Sequence, residues 1–393
     1  MSQQQPNPPR AISTTGSLGP GIRLREADGV RGTGLGAPVI RGLHTSVAAF
    51  VGDAPGLPRR PVFVRHPQEF LEAFSPRGAA GAAPSFVHDA VLGHFRNGGG
   101  GAWVLGTDPD LLGTGSDGGR IGAYRSALAE LERLPEITVV VAPDLWRVER
   151  DAHGIARLVA GHCERAGNRV ALLHTRQGLA PADVRRPFEL AEPEARFVAV
   201  HYPWVMVSEA GGTERMVPPS GHVSGLCCRV DIEQGVPRAP AGALVGVVKH
   251  ERELSADERE TIGALGVNCL RFVPGKGIRV TQARTLSTDP DWTDLGVRRL
   301  VNHVRASLVQ GTRWAAFETN DAHLRALVRQ SAVTFLRGLW RQGALRGESA
   351  ADAFRVVCDD TNNDARSRVI LDVGLATVRP AEFSTFRIQQ DGP

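Results

Sequence analysis

The chain has 393 residues, of which 42% are hydrophobic and 22% charged, with a net charge of +4. That length and balance exclude a disordered or fibrous chain and provide for two cores or more. The positive excess is too small to argue for a nucleic-acid partner, and it comes almost wholly from Arg, since Lys occurs only at Lys249 and Lys276. No apolar run is long enough to cross a bilayer and the first ten residues, MSQQQPNPPR, lack an apolar stretch, so a cytoplasmic protein without direct membrane insertion is expected. Cys163, Cys227, Cys228, Cys269 and Cys358 show no CxxC spacing and each sits in an apolar segment, which predicts buried free thiols.

Residues 1–20 are rich in Gln, Pro, Ser and Gly and carry no apolar pattern. Residues 20–26, PGIRLRE, place Ile22 and Leu24 on one side of a short extended strand. A lone strand has unpaired backbone groups and must join a sheet. Gly32, Gly34 and Gly36 precede the strand predicted at 47–51 and lack the full GxGxxG frame, so no phosphate loop is assigned.

Helical and β-rich segments then alternate. Strands are expected at 103–105, 137–141, 169–174 and 196–200, with helices at 124–134, 155–164 and 181–190 between them. This alternation predicts a layered α/β domain with a largely parallel sheet. A helix opens after Pro218 with Ser220 as its N-cap and Val223, Leu226, Cys227 and Val230 on its buried face. A linker is expected at 238–242, followed by a helix at 256–265, strands at 267–273 and 278–281, and a long helix at 294–309.

The most sharply patterned stretch runs from Trp314 to Asp360 and is expected as strand, helix, turn, strand. Its helix, 321–342, carries Leu324, Leu327, Val328, Ser331, Phe335, Leu339 and Trp340 on one face and Arg325, Arg329, Arg337 and Arg341 on others. No acid occurs between Asp321 and Glu348, so this basic stripe either faces solvent or awaits an acidic partner. The chain ends with a strand-like run at 369–377 and an alternating segment at 383–388 with the pattern of an edge strand.

Catalytic and metal patterns are absent from the sequence. In GHVSG, 221–225, the serine stands one place late for a nucleophile elbow. PGKG, 274–277, is a hairpin turn rather than a P-loop, and DTNND, 360–364, lacks the glycine and the terminal glutamate of a calcium loop. The twelve histidines form no HxxxH or HExxH spacing, and the HYPW run at 201–204 is expected as a packed aromatic corner. No cofactor is expected. An α/β enzyme is the alternative reading.

Several segments together resemble the sheath proteins of contractile phage tails and related injection systems. They are LPEITVVVAPD (134–144), HYPWVMV (201–207), VPPSGHVSGLCCRVDIEQGVPRAPA (217–241), GVNCLRF (266–272), GKGIRVTQARTLSTDPDWTDLGVRRL (275–300), GTRWAAFETND (311–321), FLRGLWRQGALRG (335–347), AFRVVCDD (353–360) and PAEFSTFRIQQ (380–390). The resemblance implies a mixed α/β chain in four parts: an N-terminal arm at 1–26, an outer α/β domain at 27–240, an inner, tube-facing domain at 241–379 and a C-terminal strand arm at 380–393. It further implies hexameric rings stacked around an inner tube, with baseplate and terminator proteins as further partners and no nucleic acid. In such a lattice Ile22, Leu24, Phe383, Phe386 and Ile388 would anchor the subunit-linking arms, and Arg325, Arg329, Arg337 and Arg341 would face the tube.

Overall fold

Six apolar runs account for the centre of the molecule. In the computed structural model, which describes residues 37–53, 56–74, 86–107, 119–208, 212–236, 238–363 and 368–391, they become β1 (Ala48–Gly52), β3 (Ala102–Gly106), β4 (Val139–Val141), β5 (Val170–His174), β6 (Val198–Tyr202) and β11 (Val267–Val273). All six run parallel, in the order β3-β1-β4-β5-β6-β11. β2 (Val62–Val64) closes one side antiparallel, and β12 (Gly277–Val280) and β9 (Gly242–Ala243) close the other, completing nine strands. A parallel sheet is stable when both faces are covered, which is why its strands lack alternation. β1, β4, β5 and β6 are buried at every position.

Helices α1 (Pro67–Ala73), α2 (Phe86–Arg96) and α5 (Ser220–Gln234) cover one face around Phe50, Val104, Leu172 and Leu226. Helices α3 (Gly119–Leu131), α4 (Glu149–Ala166) and α6 (Ala256–Ala264) cover the other around Val51, Val140, Leu173 and Ile262. A small sheet of β7 (Val205–Ser208), β8 (Glu214–Val217) and β10 (Val247–His250) flanks the first face. The third core gathers α7 (Leu295–Gly311), α8 (Ala322–Arg341), β13 (Phe354–Val357), β14 (Arg368–Leu375) and β15 (Ser384–Asp391) around Val304, Leu308, Val328, Leu336 and Leu371.

The structure revises several expectations. Residues 241–280, assigned from sequence to the inner domain, supply β9, β11 and β12 to the large sheet, because Val267, Asn268 and Cys269 pair with Val200, His201 and Tyr202 of β6. The helix expected at 181–190 is two 3-10 turns, Pro181–Asp183 and Arg186–Phe188, since Pro187 has no N–H to continue a helix. Pro219, not Ser220, occupies the N-cap of α5, and Ser220 lies inside the core with its hydroxyl 3.2 Å from Nδ1 of His174. The segment from Trp314 is a 3-10 turn, Arg313–Phe317, rather than a strand. Helices α1 and α2 lie between the strands expected at 47–51 and 103–105, in stretches to which no element was assigned from sequence. All five cysteines are free and buried. The predicted N-terminal strand with Ile22 and Leu24 lies outside the described residues.

The layer between the sheet and helices α2 and α5 holds four buried histidines. His174 and His201 are register partners on β5 and β6, Nδ1 of His94 lies 2.8 Å from the Ser224 hydroxyl, and the His222 ring lies against Gly93. Burial lowers His174 to about 3, and His94, His201 and His222 to about 4. Such groups stay neutral in the fold but take up protons once unfolded below pH of about 6.5. Their contribution is therefore complete above about pH 6.5 and is lost as the pH falls toward 4, at up to roughly 1.4 kcal/mol per pH unit for each histidine. The unfolding midpoint, followed by far-UV circular dichroism, is expected to fall steadily between pH 6.5 and 4.5; a level midpoint over that range would refute the assignment.

Candidate functional site

The C-terminal sheet is built on one long strand. β14 carries Val369, Leu371, Val373 and Leu375 toward the third core. β13 pairs antiparallel on one side of it and β15 on the other, over the full register from Arg368↔Asp391 to Leu375↔Ser384. The segment after β13 is shaped by its own side chains: Asn363 donates to the Ile370 carbonyl (2.9 Å), its side-chain oxygen accepts from the Ile370 N–H (2.7 Å), and Asn362 donates to Asp372 (3.0 Å). Residues 360–362 thus form a turn, and among the described residues there is no cluster of metal-binding groups.

The predicted C-terminal arm residues are placed as follows. Ile388 is 3% exposed and lies in the core opposite Leu371. Phe386 is half-buried opposite Val373, and Phe383 seats against Gly374, where an added Cβ would approach its Cβ to 3.1 Å. Arg387 points outward and pairs with Asp372 at 2.6 Å, and Gln390 donates to the Val309 carbonyl at 2.9 Å. The segment is an edge strand, as its alternation suggested, and in the single chain its partner is the chain's own β14. Its other side has no neighbouring strand among the described residues. The edge is eight residues long and free of Pro and Lys, the kind of edge that accepts another strand.

Helix α8 is capped by Asp321, whose carboxylate accepts from the Leu324 N–H at 2.7 Å. Leu324, Val328, Ser331, Ala332 and Leu336 form its buried face, with Phe335, Leu339 and Trp340 half-buried beside them. Arg329, Arg337 and Arg341 are exposed on its outer side. Arg325 departs from the expected unpaired stripe: its guanidinium binds the Asp360 carboxylate and the Asn320 side chain, and it is 11% exposed. The acid that binds it is 35 residues away in sequence, which is why a local search found none. Arg329 lies near Asp359, whose carboxyl is held below its ordinary range first by Thr361 hydrogen bonds and then by Arg329 and Arg325. Arg337 and Arg341 make no ion pair among the described residues.

A parallel α/β sheet most often holds a ligand where chain connections part, here beyond the C-terminal ends of β1 and β4. That crevice is filled. Arg120 of α3, its side chain 5% exposed, meets Asp53 at 2.5 Å and donates to the carbonyls of Asp144 and Leu145. Asp53 also accepts from the Thr107 hydroxyl at 3.1 Å, and the Asp144 carboxylate accepts from the Asp53 N–H at 2.9 Å. Among the described residues the charged groups at this position are spent on one another and on backbone groups, so the crevice acts as a structural lock.

Residues 158–286 match the phage tail sheath protein central domain, and residues 287–391 match the phage tail sheath C-terminal domain. The two matches are contiguous and cover more than half the chain. The chain belongs to the tail sheath protein family. The tail sheath protein of Enterobacteria phage T4 is 28% identical over 154 residues, covering 38% of this chain and 22% of that protein. This sheath chain therefore spans about a fifth of the length of that relative. Its fold matches the helical sheath of the anti-feeding prophage in the contracted state, with a TM-score of 0.72 and 24% identity over 95% of this chain and 99% of that one. The contracted PVC sheath complex of an extracellular contractile injection system gives a TM-score of 0.69 and 24% identity, covering 96% and 99%. In this sheath protein the C-terminal match begins just ahead of α7 and takes in α8 and all three strands of the C-terminal sheet.

The core position of Ile388 has a direct consequence for the isolated subunit. Ile388→Ala is expected to destabilise the monomer by about 2–5 kcal/mol, as for other buried aliphatic truncations. Urea unfolding measures this. A loss near zero would mean that β15 is not docked on its own sheet in solution.

Proposed function

We propose that the chain is a structural sheath subunit that polymerises as stacked hexameric rings around an inner tube and shortens to drive that tube through a target envelope. The observation that carries this reading is the contiguous match to both sheath domains over 158–391. The free edge of the C-terminal sheet supplies a physical means of linking subunits. Energy is held in subunit packing, without nucleotide or other cofactor, and the particle's baseplate and terminator proteins are the further partners. Assembly takes place in the cytoplasm, and the product is a phage tail or a tail-like injection particle. No helix among the described residues is long and apolar enough to cross a membrane, which accords with a role outside the bilayer.

Linking works by strand exchange and addition. A strand that leaves its own sheet for the equivalent place in a neighbour recovers the same hydrogen bonds and buries the same Phe386 and Ile388, so the exchange costs little. The N-terminal segment with Ile22 and Leu24 adds to a free edge. About five backbone hydrogen bonds at a net of roughly 1 kcal/mol each only offset the ordering of six residues at about 1–2 kcal/mol each. Burial of Ile22 and Leu24, at about 1.5–3 kcal/mol apiece, then decides the balance. Removal of residues 2–25 is expected to abolish long contractile particles in electron micrographs; full-length particles that still contract would overturn the linking role.

The outer side of α8 faces the tube in this proposal. Arg329, Arg337 and Arg341 fall within about 120° of helical arc, enough to meet one acidic surface. Arg325 holds Asp360 instead and supports the helix from its first turn. Surface charges of this kind bind weakly, each pair contributing about 0–1 kcal/mol, which suits a contact that must release on contraction. Arg329→Glu with Arg337→Glu is expected to reduce assembly on tubes, measured by co-sedimentation. Unchanged assembly would remove α8 from the tube interface.

A further inference from the structure

Two charged features lie at opposite edges of the nine-stranded sheet. A cleft of about 730 Å³ opens under α7 at the edge where β1, β4 and β5 begin. Val47, Thr138 and Arg169, each one residue ahead of one of those strands, line it, and Arg305, Ala306 and Val309 of α7 face them. Most of its charged groups are already engaged. Arg165 and Glu132 meet at 3.4 Å, Arg299 binds Asp231, and Arg169 donates to the carbonyls of Leu131 and Leu134. Arg313 is exposed without an ion pair among the described residues, and Arg305 reaches only the Ala166 carbonyl, at 3.4 Å. Glu136 is the lining acid left over. Asn302, 3% exposed, lines the cleft with its side-chain oxygen unpartnered. One turn earlier on α7, Arg298 is buried between the rings of Trp292 and Phe197 with no ion pair among the described residues, which adds to the positive potential.

The opposite edge is acidic. Glu251 accepts from the N–H groups of Gly178 and Trp204, which follow β5 and β6, and so fixes the chain leading into α6 at the ends of those strands. Leu254 is buried beneath this segment. Arg252 is taken up by Glu258, whereas Glu253, Asp257 and Glu260 are exposed and make no ion pair among the described residues. Because α6 leads back into the start of β11, its first turn lies at the C-terminal edge of the sheet. The acidic turn and the basic cleft are thus separated by at least the length of a five-residue strand, about 17 Å.

Opposite charges at opposite ends of one subunit suit a head-to-tail contact, which grows into an open helical array rather than closing as a pair. We propose that the α7 cleft receives the acidic N-terminal half of α6 from a second copy of this chain, with Arg305 and Arg313 meeting its Asp257 and Glu260. The contact rests on the reading of the chain as a self-assembling sheath subunit, and it is separate from strand exchange, since neither surface includes β15. It supplies register and steering between subunits, and added salt weakens it.

The test compares four full-length proteins by the concentration at which each forms sedimentable polymer: the wild type, Arg305→Glu with Arg313→Glu, Asp257→Arg with Glu260→Arg, and the protein with all four changes. Each two-residue reversal is expected to raise that concentration about tenfold, and the fourfold reversal to restore it. Arg313→Glu alone, at an exposed position, gives a partial effect without disturbing the Ala166 contact. Unchanged unfolding midpoints confirm that the subunits remain folded. Wild-type polymerisation in both two-residue variants, or a fourfold variant no better than either, overturns this contact and leaves the sheath reading standing. Failure of the folded wild type to polymerise overturns both.

Discussion

The buried pair between Asp231 and Arg299 holds the two halves of the structure together. Its side chains are 3% and 4% exposed, and the Thr45 hydroxyl donates to the same carboxylate at 2.6 Å. Burial works against the Arg299 charge, but the adjacent carboxylate outweighs it and the guanidinium is held firmly protonated. Loss of one partner from such a pair leaves a bare buried charge, at a cost of about 3–5 kcal/mol. The pair matters because of where α7 stands. Leu300, Val301, Val304 and Leu308 of this helix belong to the C-terminal core, while Asn302 donates to the Arg169 carbonyl and Arg305 reaches the end of α4. One helix is therefore a wall of both bodies, and its orientation sets how the C-terminal sheet and α8 are presented.

That arrangement separates two kinds of surface. The large sheet is covered on both faces and its ligand crevice is closed by Arg120, so little of it is free to change. The C-terminal sheet has an eight-residue edge, an outer face with Arg387 and Asp372, and a neighbouring helix studded with Arg. The structure thus joins a sheet covered on both faces to a short sheet whose β15 edge has no neighbouring strand among the described residues. The buried histidine layer belongs to the first sheet, and the open edge and the Arg-bearing helix belong to the second.

Much of the fold was legible because burial writes itself into short apolar runs. Val267–Val273 was anticipated at both ends, and β1, β3, β5 and β14 were anticipated closely. Two-sided burial makes these runs continuous, and helical stripes between them are easy to separate. Helix α2 was missed because it lies in a Gly- and Ala-rich region and because Gly93 and His94, poor helix signals, are there to pack against His222 and Ser224. The placement of 241–280 was missed because strand pairing with β6 is a non-local choice, and the Pro- and Gly-containing run at 238–242 resembled a boundary.

For the candidate site the division is similar. Alternation in STFRIQQD determined that Ile388 and Phe386 share one side and Arg387 the other, and the spacing in α8 determined which residues form its buried face. These follow from the two-residue and 3.6-residue periods of the backbone, which act locally. Tertiary structure alone decided that Arg325 has a carboxylate beside it, that Phe383 rests on Gly374, and that the acidic turn of α6 and the cleft under α7 fall at opposite edges of one sheet. Each of these depends on residues that are distant in the chain and brought together by packing, and no local period records such a meeting.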